Sequence, residues 1–294
     1  MNNVRPYRGR FAPSPTGPLH LGSLFAAVGS WLIARQADGQ WLIRIEDIDP
    51  PREIKGAAQA QIECLKAFGM ESDEPILWQS QRSERYREVL QKLMAGGNAF
   101  ECFCSRADVI EHGGIHRFCV AKNAEKHPAI RLKIPDITIG FEDRFQGRFS
   151  QILGIEVGDM VIKRADGFWA YQLAVVVDDA DQGITDVVRG RDLLDSTPKQ
   201  IYLQDLLGFR TPRYAHLPLI CDKAGNKLSK SMSSCPVDPG DPIPALRQVW
   251  QCLGQSPDDW PKEQSPERAL RQAIARFDAM KILSHSQMPT LLQF

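Results

Sequence analysis

The sequence predicts an α/β fold: a Rossmann-type parallel sheet, interrupted by a β-rich insertion and followed by a short helical region. Three observations predict it. Short apolar strands alternate with helical patterns over the first third of the chain, and that order implies a parallel sheet with crossover helices. The rhythm changes to short β-rich pieces around a Cys/His cluster from Phe100 to about Lys163. It then returns to strand and helix before the chain becomes helical.

A strand through Arg10 and Phe11 leads into a Pro-rich loop. A helix over Ser23–Arg35 follows, with Leu24, Ala27, Val28, Trp31 and Leu32 at helical spacing. Asp38-Gly39 ends it, and Trp41–Glu46 reads as a strand. Glu53–Phe68 reads as a helix closed by Gly69, and Ser83 as the cap of a helix over Glu84–Ala95 closed by Gly96-Gly97. Within the insertion, AIRLKI, ITIGF and DMVIK are the strand-like pieces. Alternation resumes with Tyr171–Val177, Ile184–Val188 and a helix after Ser196-Thr197-Pro198, where Pro suits the first turn. Tyr214–Cys221 reads as a strand, and Ile243–Leu253 and Glu267–Ile282 as helices. The expected division is therefore 1–99 and 166–235 for the two halves of the core, 100–165 for the insertion and 236–294 for the helical region.

Hydrophobic residues at 43% and charged residues at 24% of 294 suit a globular protein with a sizeable core. No run of about eighteen apolar residues offers a membrane span, and MNNVRPYRGR lacks the apolar core of a signal peptide, so a cytoplasmic protein is expected. The net charge of zero argues against a uniformly basic nucleic-acid binder and leaves a local basic face open. Seven cysteines, an odd and scattered set, predict thiols or metal ligands and no disulfide framework.

Chemistry concentrates in a few places. The loop RFAPSPTGPLHLGSL joins a strand to a helix start, so His20 and the first helical N–H groups converge where a phosphate can sit. Gly22 lets a ligand approach the backbone, and Ser23 opens the helix. Alone, His-x-Gly reads rather as a rigid turn with a surface histidine. Lys227-Leu228-Ser229-Lys230-Ser231 brackets small hydroxyl residues with two lysines, a cationic clamp suited to charge on a transferring phosphate. Alone, it reads as a solvated basic loop. Close cysteines Cys102 and Cys104, a distant Cys119 and His116 suit tetrahedral zinc in a Cys3His set. Free thiols are the alternative.

Together, His20-Leu21-Gly22-Ser23 and Lys227-Leu228-Ser229-Lys230-Ser231 resemble the HIGH and KMSKS signatures of class I aminoacyl-tRNA synthetases. Arg10 to Gly17, Arg44 to Asp49, Tyr171 to Ala174 with Val177 to Asp179, and Asp186 to Gly190 with Asp192 to Leu194 narrow the likeness to the glutamyl branch. The resemblance implies a class I catalytic core in which His20, Gly22, Ser23 and Lys230 bind ATP, and His20, Lys227 and Lys230 carry catalysis. It also implies an amino-acid pocket of Arg10, Phe11, Ala12, Pro13, Ser14, Glu46, Tyr171 and Arg189. The residue chemistry agrees: Glu46 can meet an ammonium, while Arg10 and Arg189 offer planar forks to carboxylate. Competing readings are a strand-end pair of Glu46 with Arg44 and, for Arg189, a surface charge beside Asp186 or Asp192.

The resembled subfamily carries Cys-x-Cys, a Gly-Gly turn and Tyr-x-x-x-Cys. Here Gly113-Gly114-Ile115 is followed by His116-Arg117-Phe118-Cys119, one residue shorter and without the Tyr. His116 stands as the candidate fourth ligand, with a weakened or lost site as the alternative. Residues 232–294, after the lysine-rich loop, are expected to form a few helices and no anticodon-binding region. That architecture resembles the glutamyl-queuosine tRNA(Asp) synthetase family. The resemblance implies activation of L-glutamate with Mg2+-ATP and transfer to queuosine in the anticodon of tRNA(Asp), by a ligase expected to be a monomer. The rivals are a truncated glutamyl-tRNA synthetase charging the 3′ end of tRNA(Glu), a related nucleotidyltransferase with a small acceptor, and a synthetase-like protein that only binds.

Overall fold

The computed structural model describes residues 5–121, 127–219 and 236–282. In it β1 (Arg8–Phe11) pairs in parallel with β2 (Gln40–Ile45), and β2 with β3 (Leu77–Trp78). Between β1 and β2 runs α1 (Leu21–Gln36), whose face from Leu24 to Ala34 is buried almost throughout. A helix apolar all round has to lie inside the protein, and α1 does so. Gly29 permits that depth: a Cβ there would stand 2.8 Å from Leu217 Cδ1.

After α2 (Ala57–Ala67) and α3 (Ser83–Ala95), β4 (Ala99–Cys102) and α4 (Arg106–Glu111) open the β-rich stretch. It continues through β5 (Ala129–Leu132), β6 (Thr138–Asp143), β7 (Gly147–Ile152), α5 (Leu153–Glu156) and β8 (Met160–Lys163). This stretch supplies strands to two sheets. Strands β4, β5 and β8 form an antiparallel sheet, whereas the β6–β7 hairpin adds to the main sheet.

The second half brings α6 (Tyr171–Asp181), β9 (Asp186–Gly190), α7 (Thr197–Leu207) and β10 (Arg213–Leu217). β10 lies between β9 and β6 and is parallel to both. Thr185, just before β9, donates its N–H to the Arg8 carbonyl at 2.9 Å and accepts from Arg8 N at 2.8 Å, which lays β9 beside β1. The chain thus builds outward from β1 in one direction and from β9 in the other. Such a reversal leaves a crevice at the carboxyl ends of the two central strands, where ligands bind in open α/β sheets. The predicted α/β architecture is therefore the observed one.

Helices α8 (Pro242–Cys252) and α9 (Pro266–Ile274) share one core cluster with α1. Trp250 meets Trp260 edge-on at 5.6 Å between ring centroids. The starts of α2 and α3 differ from the sequence reading. Gly56, at φ +83°, precedes α2, so residues 53–56, expected as its first turn, lie outside the helix, and a separate short turn over Pro50–Arg52 comes before them. Ser83 is the first residue of α3 and not its cap; its hydroxyl accepts from Trp169 Nε1 at 3.2 Å. The α9 helix stops at Ile274, and Asp278 then accepts from Met280 N to hold a separate short turn. Among the described residues no helix is long and apolar enough to cross a membrane.

Candidate active site

A cavity of about 830 Å³ opens over the carboxyl ends of β1, β2 and β9. The Pro-rich loop forms one wall and is tied down from several directions. Gln61 of α2 donates to the carbonyls of Ser14 (3.1 Å) and Gly17 (2.7 Å), while Glu46 N and Ile54 N donate to the carbonyls of Pro13 and Pro15, both at 2.9 Å. Phe11, Ala12, Pro13 and Ser14 all line the cavity.

His20 ends this loop and is itself the cap of α1. Ser23 N–H donates to its Nδ1 at 3.2 Å, so the neutral ring carries its proton on Nε2 and donates to Ser23 Oγ at 3.1 Å. The helix therefore begins two residues before the expected Ser23, because an imidazole nitrogen supplies the capping acceptor. A Cβ on Gly22 would stand 3.2 Å from the His20 ring, so Gly22 makes room for that ring. The helix N-terminus carries positive potential, and His20, Gly22 and Ser23 line the cavity there.

The opposite end is built from charge pairs. Arg10 donates to both Asp179 oxygens at 3.0 and 3.3 Å, and Arg44 donates to Asp179 Oδ1 at 2.7 Å. Glu46 Oε1 stands 3.5 Å from Arg44 Nη2. Glu46 thus has its strand neighbour as a partner and still faces the cavity. Burial pushes its carboxyl above the ordinary range despite Arg44 and Arg10. Burial also raises Asp179, but the two guanidinium groups outweigh it and hold that carboxyl low.

Arg189, only 5% exposed, is not a surface charge. Its Nε–H donates to His216 Nε2 at 3.0 Å, and Nη2 donates to Thr197 Oγ1 at 2.8 Å and to the Leu193 carbonyl at 3.3 Å. Nη1 donates to the Tyr171 hydroxyl at 3.3 Å. Among the described residues no carboxylate lies within ion-pair distance of Arg189, and this buried cation lines the cavity. A buried cation lining a cavity suits an anionic ligand.

Lys227 and Lys230 lie outside the described residues. The chain on either side of them borders the site: Pro218 and Leu219 line the cavity, and Val237 N donates to the Leu19 carbonyl at 2.9 Å.

The cysteine cluster lies apart, at the end of the antiparallel sheet. Ligand atoms of Cys102, Cys104, His116 and Cys119 all fall within 4.8 Å of one another, close enough for one tetrahedral metal ion. Cys102 Sγ is 3.2 Å from His116 Nε2 and accepts from Arg131 Nε at 3.3 Å. Burial raises the Cys102 thiol, but the Cys104 N–H and Arg131 outweigh it and favour the thiolate. His116 Nδ1–H donates to Asp159 Oδ2 at 2.9 Å, which turns Nε2 toward the sulfurs. A Cys3His set so arranged fits zinc. Cys64 and Cys252 are buried thiols instead, pushed up by burial to about 11 and about 12.

Comparison with known proteins agrees with this geometry. The family described as class I tRNA synthetases (E and Q), catalytic domain, matches residues 6–121 and 116–242. A protein of Xanthomonas campestris pv. campestris strain 8004 named Glutamyl-Q tRNA(Asp) synthetase is 56% identical over 278 residues, covering 94% of this chain and 93% of that one. The chain belongs to this synthetase family. A Pseudomonas putida strain W619 member with the same name is 48% identical over 291 residues, 98% of each chain. Membership makes the protein a ligase. The crystal structure of glutamate-tRNA synthetase from Elizabethkingia anophelis superposes with a TM-score of 0.79 at 28% identity, over 95% of this chain and 67% of that one.

Behind the cavity lie residues that sequence reading missed. Asp179 was visible only as part of a motif, and its link to Arg10 spans 169 positions. Asp143, His216 and Thr197 gave no motif at all. Asp143 stands beside Glu142 at the end of one strand, His216 lies in another strand and Thr197 opens a helix, and periodicity cannot pair them.

Proposed function

We propose that the protein activates L-glutamate with Mg2+-ATP to glutamyl-adenylate and transfers the glutamyl group to queuosine in the anticodon of tRNA(Asp). The observation that carries this reading is the cavity itself, with a capped helix N-terminus at one end and, at the other, the buried cation Arg189, which has no carboxylate at ion-pair distance among the described residues. The name Glutamyl-Q tRNA(Asp) synthetase, borne by relatives that match this chain over nearly their whole length, supports the final acceptor.

In this reading Arg10, Glu46, Tyr171 and Arg189 hold glutamate, with Phe11, Ala12, Pro13 and Ser14 as the surrounding wall. Glu46 meets the α-ammonium and Arg189 a carboxylate. His20, Gly22, Ser23 and Lys230 hold ATP. The α-carboxylate attacks the α-phosphorus in line and pyrophosphate leaves, with His20, Lys227 and Lys230 stabilising charge on the phosphate oxygens. A hydroxyl of the queuosine cyclopentene ring then attacks the mixed anhydride, releasing AMP. No protein nucleophile takes part. Cys102, Cys104, His116 and Cys119 hold a structural Zn2+. The substrates imply a cytoplasmic enzyme, and we keep the monomer as the working assembly.

The deciding experiment is ATP–pyrophosphate exchange with glutamate, with and without tRNA, followed by transfer of labelled glutamate to tRNA(Asp) that carries or lacks queuosine. Exchange without tRNA and label only on queuosine-bearing tRNA(Asp) are expected. Equal labelling of the tRNA lacking queuosine refutes the acceptor, and label on tRNA(Glu) would point to 3′-end charging. For zinc, Cys119→Ser should lower bound metal and destabilise the antiparallel sheet. Metal content near zero in both proteins overturns that assignment.

A further inference from the structure

Resting on the glutamate-activation reading, we infer that His216, held by Asp143, is a positioning residue for Arg189. It fixes the guanidinium so that one Nη1 hydrogen and the Tyr171 hydroxyl make a two-donor seat for the substrate's side-chain carboxylate. That seat selects carboxylate over carboxamide.

The chain of hydrogen bonds leaves few choices. Asp143, at the end of β6, accepts from His216 N through both oxygens at 3.1 Å and from His216 Nδ1–H at 2.6 Å. Phe145 N and Gln146 N donate to the same carboxylate at 3.0 Å, so it cannot turn away. With its proton fixed on Nδ1, the ring presents a bare Nε2, and a bare nitrogen accepts the Arg189 Nε–H. Both Asp143 and His216 are buried, and burial holds the imidazole neutral by pulling it below its ordinary range. The Tyr214 ring covers the guanidinium at 5.6 Å and stacks on His216 within 12° of parallel. Thr197 and Leu193 engage Nη2.

Of the Arg189 nitrogens, Nη1 alone has a hydrogen left over among the described residues, beside the one that goes to Tyr171. The Tyr171 oxygen accepts that bond and keeps its own O–H to give. A carboxylate satisfies both donors. A carboxamide turns its NH2 toward one of them and leaves a buried donor unmet, which is how such sites reject near-isosteres. The clamp suits the side-chain carboxylate, because two strong donors on the α-carboxylate would blunt the nucleophile of the first step.

The experiment is ATP–pyrophosphate exchange on wild type, His216→Leu, His216→Gln and Asp143→Asn, varying glutamate, glutamine and ATP, with calorimetric titration of glutamate into each protein. His216→Leu should raise the KM for glutamate about 10- to 100-fold, the effect of losing one hydrogen bond to a charged group, and leave the KM for ATP within about twofold. The glutamate-to-glutamine preference should fall alongside. His216→Gln places an amide oxygen near the former Nε2 and should recover most of the loss, while Asp143→Asn should raise the glutamate KM about tenfold. Unchanged glutamate KM in a folded His216→Leu protein, or equal rises for glutamate and ATP, overturns the inference. If His216→Leu does not fold, Asp143→Asn against His216→Gln decides, and equal wild-type values for both overturn it. Absence of glutamate-dependent exchange in wild type refutes the activation reading instead, and the titrations then test the seat on their own.

Discussion

The two ends of the cavity are held by different means. At the His20 end, one continuous segment does the work: a loop pinned through its carbonyls and a histidine that caps its own helix three residues on. At the Arg189 end, side chains from β1, β2, α6, β9 and β10 meet in a buried network whose partners lie far apart in sequence. The first end presents backbone dipole and tolerates local repair. The second presents buried charges, each correct only while its partner is present, so damage there spreads into the fold.

The largest expected effect follows from that contrast. Asp179 pairs with both Arg10 and Arg44, and Asp179→Ala removes the carboxylate that Arg10 pairs with among the described residues and leaves Arg44 only Glu46, at 3.5 Å. Urea unfolding should show a loss of about 3–5 kcal/mol, the usual result of breaking a buried pair from one side. A loss under about 1 kcal/mol would mean that the network does not hold this end together.

Acid should separate the two carboxylates of that network. Asp179 sits below its ordinary range, so its ionised form stabilises the fold above about pH 4, where the unfolded carboxyl is ionised, and that contribution is lost below it. Glu46 sits above its ordinary range, so ionising it costs stability at neutral pH, and the cost vanishes as acid protonates it. The deficit of Asp179→Asn against wild type should therefore shrink between pH 7 and about pH 3, while Glu46→Gln should fare better against wild type at pH 7 than at pH 3. Urea melts at both values check the signs, and parallel curves for the two variants would refute them.

This contrast also explains what the sequence could tell. The strands β1 and β2 and the helix α1 were legible because they follow local apolar periods, and the His20 loop because it is contiguous. Glu46 and Arg189 were legible only as parts of a family pattern. Asp143 and His216 were not, since their bond joins positions 73 apart and depends on the β6–β7 hairpin adding to the main sheet. The β-rich stretch gave no local sign that β6 would leave its neighbours β5 and β8 for β10. At helix starts the misses have the same cause: Ser83 was free to cap α3 until Trp169, 86 positions away, claimed its hydroxyl.

Smaller effects are expected at the His20 end, on rate more than on stability. His20→Asn keeps a side-chain acceptor for Ser23 N–H, so the cap survives and stability should stay within about 0.5 kcal/mol. Losing the imidazole should nevertheless slow glutamate-dependent exchange about 10²-fold, as for other donors aimed at developing charge. A variant that keeps the wild-type rate would leave His20 a cap and nothing more.

Gly22→Ala is the mildest test and the most selective. The glycine needs no unusual backbone angle, and alanine in a helix is favoured over glycine by about 1 kcal/mol, so stability should hold or rise slightly. The new methyl would press on the His20 ring from 3.2 Å and displace it by tenths of an ångström. Exchange should fall severalfold, short of the roughly 10²-fold that a 1 Å misplacement can bring. Slower exchange with an unchanged or higher melting temperature would show that Gly22 is there for the placement of the ring. If rate and stability both match wild type, the ring has room to move and its position at the helix end is not what the reaction requires.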